Sequence, residues 1–256
     1  MSDLFESAGF DKDAPRPLAD RLRPRSLDEV VGQDHLLAEG APLRRMLKAG
    51  RLSSIVLWGP PGVGKTTIAQ LLAKETKLEF EQISAVFSGV ADLRKVFEKA
   101  QARRKVGRGT LLFVDEIHRF NRAQQDGFLP NVESGLITLV GATTENPSFE
   151  LNPALLSRAQ VFVLRRLDED ALEQLLARAE DAEGRKLPLT ADARAALIAM
   201  ADGDGRYALN LAEDVFLEPK ERKPIAPDEL ARLVQRRAPI YDKGQDGHYN
   251  LISALH

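Results

Sequence analysis

The 256-residue sequence contains no cysteine, so disulfides and thiolate metal sites are both excluded. No apolar run approaches the ~18 residues that a membrane-crossing helix needs. The opening MSDLFESAGF lacks the basic-then-apolar layout of a secretion signal, so a cytoplasmic protein is expected. An excess of one charge is also missing: 36 Lys and Arg against 38 Asp and Glu leave a formal net charge of −2. That excludes a global attraction to nucleic acid, and any DNA binding would need a local patch. The richest stretch is RKVFEKAQARRKVGR (94–108), with seven Lys or Arg against one Glu. It suits a solvated helix face running into a loop equally well. No internal repeat is visible.

The sequence does have the composition of a globular protein, 43% apolar and 29% charged, at a length that suits one large or two modest domains. Residues 1–14 are polar and acidic, as in a flexible tail. Five candidate strands follow at 53–58, 78–83, 110–116, 137–143 and 160–165. Three are nearly continuous apolar runs, the mark of parallel strands covered on both faces. Val161 to Leu164 in the last of them read as buried. Helical patterns alternate with the strands: Ile68, Leu71 and Leu72 share one face, and Leu93, Val96, Phe97 and Ala100 share another. This alternation predicts an α/β domain with a parallel five-stranded sheet and flanking helices over 15–167. Beyond residue 167 only helices are predicted, at 168–180, 191–202, 206–216 and 227–237, forming a small all-α domain over 168–238. Asn250, Leu251, Ile252 and Leu255 read as the opening of one more helix, so a longer protein is expected.

GPPGVGKT (59–66) follows the first strand and opens the first helix, matching G-x-x-x-x-G-K-[ST] in the context that motif requires. Its glycines let successive N–H groups turn inward as an anion nest at a helix N-terminus. Gly59, Pro60, Pro61, Gly62, Val63, Gly64, Lys65, Thr66 and Thr67 are therefore candidate ligands of ATP or ADP. Lys65 can reach the β- and γ-phosphates, and the Thr66 hydroxyl suits Mg²⁺. In LLFVDEIH (111–118), a strand delivers Asp115 and Glu116 to its C-terminal edge, where ligands bind in open α/β sheets. Asp115 suits the metal through its water shell, and Glu116 suits a general base for the attacking water. His118 reads as structural. LVGATTENP (139–147) brings Thr144 and Asn146 to the same edge, where either could orient that water or simply cap a loop.

These motifs, with GATTENPSFELNPALLSR and GDGRYALN, resemble an AAA+ ATPase of the clamp-loader clade. Adding LADRLRPRSLDEVVGQDHLL and DEIHRFNRAQQDGFLPNVESG, residues 15–256 are similar to the replication-associated recombination protein (RarA/MgsA) family, relatives of the eukaryotic Werner-helicase-interacting ATPase. The resemblance implies a lid role for the helical domain. Thr144 or Asn146 would be a first sensor, and Arg206 a second sensor linking the lid to the γ-phosphate. The segment EVVGQ (29–33), with Val30, Val31 and Gly32, would lie against adenine. Arg206 is otherwise a cation at a helix start, which is mildly unfavourable. Arg158 would be the arginine finger offered to a neighbouring subunit, which suits an exposed, unpaired setting. An ion pair with Glu150 or a nearby acid is the alternative.

The implied function is a DNA-dependent, Mg-dependent ATPase acting at replication forks, gaps or ends. A clamp-loader subunit, a branch-migration motor and a slow nucleotide switch are the alternatives. The bacterial clamp-loader ATPase subunit carries a cysteine-ligated zinc module, which a cysteine-free chain cannot build. The resemblance further implies a homo-oligomer built through a C-terminal region of which 239–256 would be the start, so low activity and weak association are expected of these 256 residues. The remaining expected partners are single-strand-binding protein and, through Leu4-Phe5, the sliding clamp. The expected location is the nucleoid-associated cytoplasm.

Overall fold

In the computed structural model, which describes residues 16–220 and 222–237, the chain opens with three short helices, α1 (Leu18–Arg21), α2 (Asp34–Leu37) and α3 (Pro42–Lys48). Strands and helices then alternate: β1 (Ile55–Trp58), α4 (Lys65–Thr76), β2 (Glu79–Ser84), α5 (Val90–Lys105) and β3 (Thr110–Asp115). Two short helices, α6 (Arg122–Asp126) and α7 (Leu129–Glu133), precede β4 (Ile137–Thr143). Two more, α8 (Pro147–Glu150) and α9 (Pro153–Leu156), precede β5 (Gln160–Val163). The remainder is helical: α10 (Glu169–Glu183), α11 (Ala191–Ala201), α12 (Gly205–Phe216) and α13 (Pro227–Arg237). The expected tail with Leu4-Phe5 and the segment 239–256 lie outside the described residues.

All five strands are parallel, in the order β2-β3-β4-β1-β5. The period of two explains how the central strands serve two cores at once. Ile55, Leu57, Leu111 and Phe113 enter one buried cluster, while Val56, Leu112 and Val114 enter the other. Each such side chain contributes about 1.5–3 kcal/mol on burial, which is why these strands read as apolar runs.

β5 departs from its expected burial. Val161 and Val163 are 40% and 47% exposed, while Phe162 and Leu164 are buried. As the last strand it is covered on one face only, so it alternates. Its backbone is bonded on the free side by side chains from the N-terminal segment. The buried Gln33 amide pairs reciprocally with Arg165, donating to its carbonyl at 2.8 Å and accepting from its N–H at 3.1 Å. The His35 ring meets the Val163 carbonyl at 2.9 Å.

The helical region has its own core, including Leu172, Leu176, Leu197, Leu211 and Leu230. Its helices start where capping chemistry allows: Asp168, Thr190 and Asp204 each accept a hydrogen bond from a first-turn N–H, worth about 1 kcal/mol apiece. Leu18 also belongs to this core, and its N–H donates to Glu213 Oε1 at 2.9 Å. Leu27, Leu36 and Leu37 are in the sheet cluster instead. The N-terminal segment therefore spans both layers.

The basic stretch is less available than its composition suggested. Lys99 and Arg103 pair with Glu81, Arg108 with Glu79 and Lys95 with Asp92, and Arg104 donates to the Ser134 carbonyl. Strand β2 supplies the acids that take up three of the seven charges.

Candidate active site

A cleft of about 490 Å³ lies between the strand ends and the helical region. Pro61 to Thr67, Asp115, Glu116, Val30, Val31 and Arg206 all line it. Its floor is the loop between β1 and α4. Gly64, with φ +97°, is the N-cap of α4, and no side chain caps this helix. The first-turn N–H groups of Lys65, Thr66 and Thr67 are thus donors at the positive end of a helix, suited to phosphate. Gly62 has a positional reason as well. A Cβ there would come within 1.7 Å of Asp204 Oδ1, because the start of α12 rests on the loop.

Lys65 is buried, and its Nζ donates to the Gly59 and Pro60 carbonyls, each at 2.6 Å. Burial holds its amine below the usual lysine value. The carboxylates of Glu116, Asp115 and Asp204 oppose that shift, and Arg206 adds to it. A cation this desolvated, bonded to neutral carbonyls, is suited to exchange them for phosphate oxygens.

Adjacent residues of a strand point to opposite faces, yet Asp115 and Glu116 both line the cleft. The backbone explains this: Glu116 is left-handed, with φ +51°, so the chain turns out of β3 directly after Asp115. The Glu116 carboxylate is then held from two sides. Its Oε2 lies 3.3 Å from His118 Nδ1 and accepts from Thr144 Oγ1 at 3.4 Å. His118 Nδ1 also meets Thr143 Oγ1 at 2.9 Å. The residue read as structural therefore touches the proposed base.

Asn146 is occupied differently, since its side-chain oxygen accepts from Ser148 N–H and caps α8. Neither Thr144 nor Asn146 lines the cleft itself. Gly32 also lies outside the lining: a Cβ on it would come within 2.6 Å of Leu167 Cδ2, so it is a point of close approach between the N-terminal segment and the link from β5 to α10. Val30 packs with the sheet cluster and Val31 with the helical core.

Arg158 corrects an expectation. It is not unpaired: it forms an ion pair with Glu133, Nη2 to Oε1 at 2.5 Å, and donates to the Ala154 carbonyl and Ser157 Oγ. Glu133 ends α7, 25 residues earlier. No local reading of the SR dipeptide could reach it, and Glu150 is not the partner.

Among the described residues no group of three or more His, Cys, Asp or Glu side chains could cage an ion. Thr66 and Asp115, which line the same cleft, instead fit a magnesium ion that arrives with phosphates and keeps several waters.

A loop of this kind on a parallel sheet, closed by a small helical region, defines a P-loop nucleotide-binding protein of the AAA class. Residues 55–167 match the family model "ATPase family associated with various cellular activities (AAA)", and residues 183–256 match "AAA C-terminal domain". Over its whole length the chain is 45% identical to replication-associated recombination protein A of Escherichia coli K12, of which it spans 59%. The Coxiella burnetii protein of the same name is 48% identical over 94% of this chain and 56% of its own length. ATPase WRNIP1 of Dictyostelium discoideum is 41% identical over 96% of this chain and 31% of its own. The chain belongs to the replication-associated recombination protein A family of AAA ATPases. Among solved structures, the RuvB Holliday junction branch migration motor of Thermotoga maritima superposes with a TM-score of 0.67 at 27% identity, covering 84% of this chain and 72% of that one. The chain spans less than two thirds of the length of the curated relatives named here.

Proposed function

We propose that this chain is the motor core of a DNA-dependent ATPase that remodels replication forks, single-strand gaps or duplex ends. The observation that carries this reading is the meeting of Lys65, Thr66, Asp115, Glu116 and Arg206 on one cleft. Lys65 and the first-turn N–H groups of α4 bind the phosphates. Val30 and Val31 receive the base. Glu116 takes the proton of the attacking water, and Thr144 rather than Asn146 acts as the first sensor, because it already bonds that carboxylate. Arg206 carries the lid's position to the γ-phosphate. Magnesium, when bound by Thr66 and Asp115, would neutralise charge on the phosphate oxygens. Arg158 serves the nucleotide of a neighbouring copy in a homo-oligomer. The wider partners are DNA, single-strand-binding protein and, through Leu4-Phe5, the sliding clamp, in the nucleoid-associated cytoplasm.

A slow nucleotide switch is the second reading, and the Arg158–Glu133 pair favours it, since a finger held within its own subunit is withheld from a neighbour. ATP turnover on gapped, forked and blunt DNA separates the two. The motor reading requires DNA-stimulated turnover that Lys65→Ala and Glu116→Gln abolish. Negligible turnover on every substrate selects the switch.

A further inference from the structure

The most exposed large apolar side chain among the described residues lies on the turn after β2. Phe87 is 89% exposed, beside Val86 at 55% and Val90 at 60%. The turn is ordered by its own backbone: Phe87 and Ser88 N–H both donate to the Ser84 carbonyl, at 3.1 and 2.9 Å. The ring is thus held out by a tight turn. Three arginines surround the ends of β2 and β3: Arg94 on the second turn of α5, Arg119 in the turn after Glu116, and Arg122 at the start of α6. All three are exposed, and none of their guanidinium groups makes a hydrogen bond or ion pair among the described residues. Asp92 is committed to Gly89 N–H and Lys95, and Asp126 to Asn152.

We infer that this patch is a stacking platform for unpaired nucleic-acid bases, with Phe87 as its ring and Arg94, Arg119 and Arg122 as its phosphate contacts. The inference rests on the DNA reading above and names the strand state it recognises. An aromatic face beside unpaired guanidinium groups matches a single strand, whose bases offer π-faces and whose phosphates offer acceptors. Within a duplex those faces are covered, so the platform selects single strands and open ends. It is also wired to the cleft. Ala85 N–H donates to the Asp115 carbonyl at 2.9 Å, and Arg119 N–H donates to the Glu116 carbonyl at 2.8 Å. Both arms of the platform therefore hang on the backbone of the two residues that bring carboxylates to the site.

The test uses the full chain, a labelled oligothymidylate and a relaxed, covalently closed duplex circle. Phe87→Ala is expected to raise the Kd for oligothymidylate about five- to a hundredfold and to change affinity for the circle less than about twofold. DNA-free turnover stays at the parent level, while its stimulation by single strands is lost. Phe87→Trp binds as the parent does, and its emission falls on adding the oligomer. If Phe87→Ala binds oligothymidylate as tightly as the parent, the platform is wrong and the DNA reading stands. If the parent binds neither probe, both fall. Loss of self-association in Phe87→Ala with unchanged oligomer affinity assigns the patch to a second copy and overturns the platform.

Discussion

His118 Nδ1 lies 3.3 Å from Glu116 Oε2 and 2.9 Å from Thr143 Oγ1, so one ring ties the end of β3 to the end of β4 at the proposed base. A carboxylate in a left-handed turn has no strand neighbour to fix its direction, and His118 and Thr144 supply that restraint. Glu116→Gln is expected to lower kcat by about 10²–10⁴ with nucleotide affinity retained. His118→Ala is expected to lower kcat about tenfold at an unchanged KM, as a positioning residue should. Steady-state kinetics beside equilibrium nucleotide binding check both.

Gly62 and Asp204 make a second test. A methyl at 62 must displace the carboxylate that caps α12, so Gly62→Ala is expected to weaken nucleotide binding at least tenfold by unseating the lid. Asp204→Ala alone removes a cap worth about 1 kcal/mol. The double variant should bind more tightly than Gly62→Ala, because the clash is gone. Titration with a fluorescent nucleotide reads all three.

Gln33 is buried and holds both backbone groups of Arg165. Gln33→Ala leaves the half-buried carbonyl and N–H of Arg165 without their protein partner and is expected to cost about 1–2 kcal/mol. Urea denaturation measures this as a lower midpoint.

The lid has an acid-sensitive joint at Glu180. Burial would raise its pKa, but the Leu187 N–H and the cations Lys186 and Arg194 outweigh this and hold it below the usual carboxylate value. A carboxylate depressed in the folded state stabilises it above the unfolded pKa, and that contribution is lost as pH falls through the folded value. Lid stability should therefore decline below about pH 4.5. Glu180→Ala should flatten that decline and cost about 1–3 kcal/mol at neutral pH, since the buried Leu187 N–H loses its acceptor while Arg194 keeps Glu173. Thermal unfolding across pH is the measurement.

Glu133→Ala releases Arg158 from its ion pair. In the motor reading, turnover per subunit should then rise at low protein concentration. Arg158→Ala should remove about 10³–10⁵ of the assembled rate. A concentration series of ATPase rates distinguishes the two variants.

What the sequence could show depended on range. The phosphate loop, the Asp115-Glu116 pair and the three central strands are local patterns, and each appears where its motif or apolar run predicts. The features that were missed depend on contacts between distant segments. Glu133 meets Arg158, Gln33 meets Arg165, and Glu81 takes up Arg103 and Lys99. No window of a few residues contains these pairs. The exposure of Val161 and Val163 was hidden for the same reason, because an edge strand is defined by its place in the sheet rather than by its composition. Asp204 could have been found: it precedes a helix at a position where aspartate is a favoured cap.

The N-terminal segment has Leu18 in one core and Leu27 in the other, while Leu164 and Leu167 make the same crossing later in the chain. A body attached at a single point can swivel about any axis. One hung at two points turns only about the line joining them, like a door on a pair of pins. The helical layer is hung in this way, so its movement against the sheet should reduce to a one-dimensional swing that carries Arg206 along an arc.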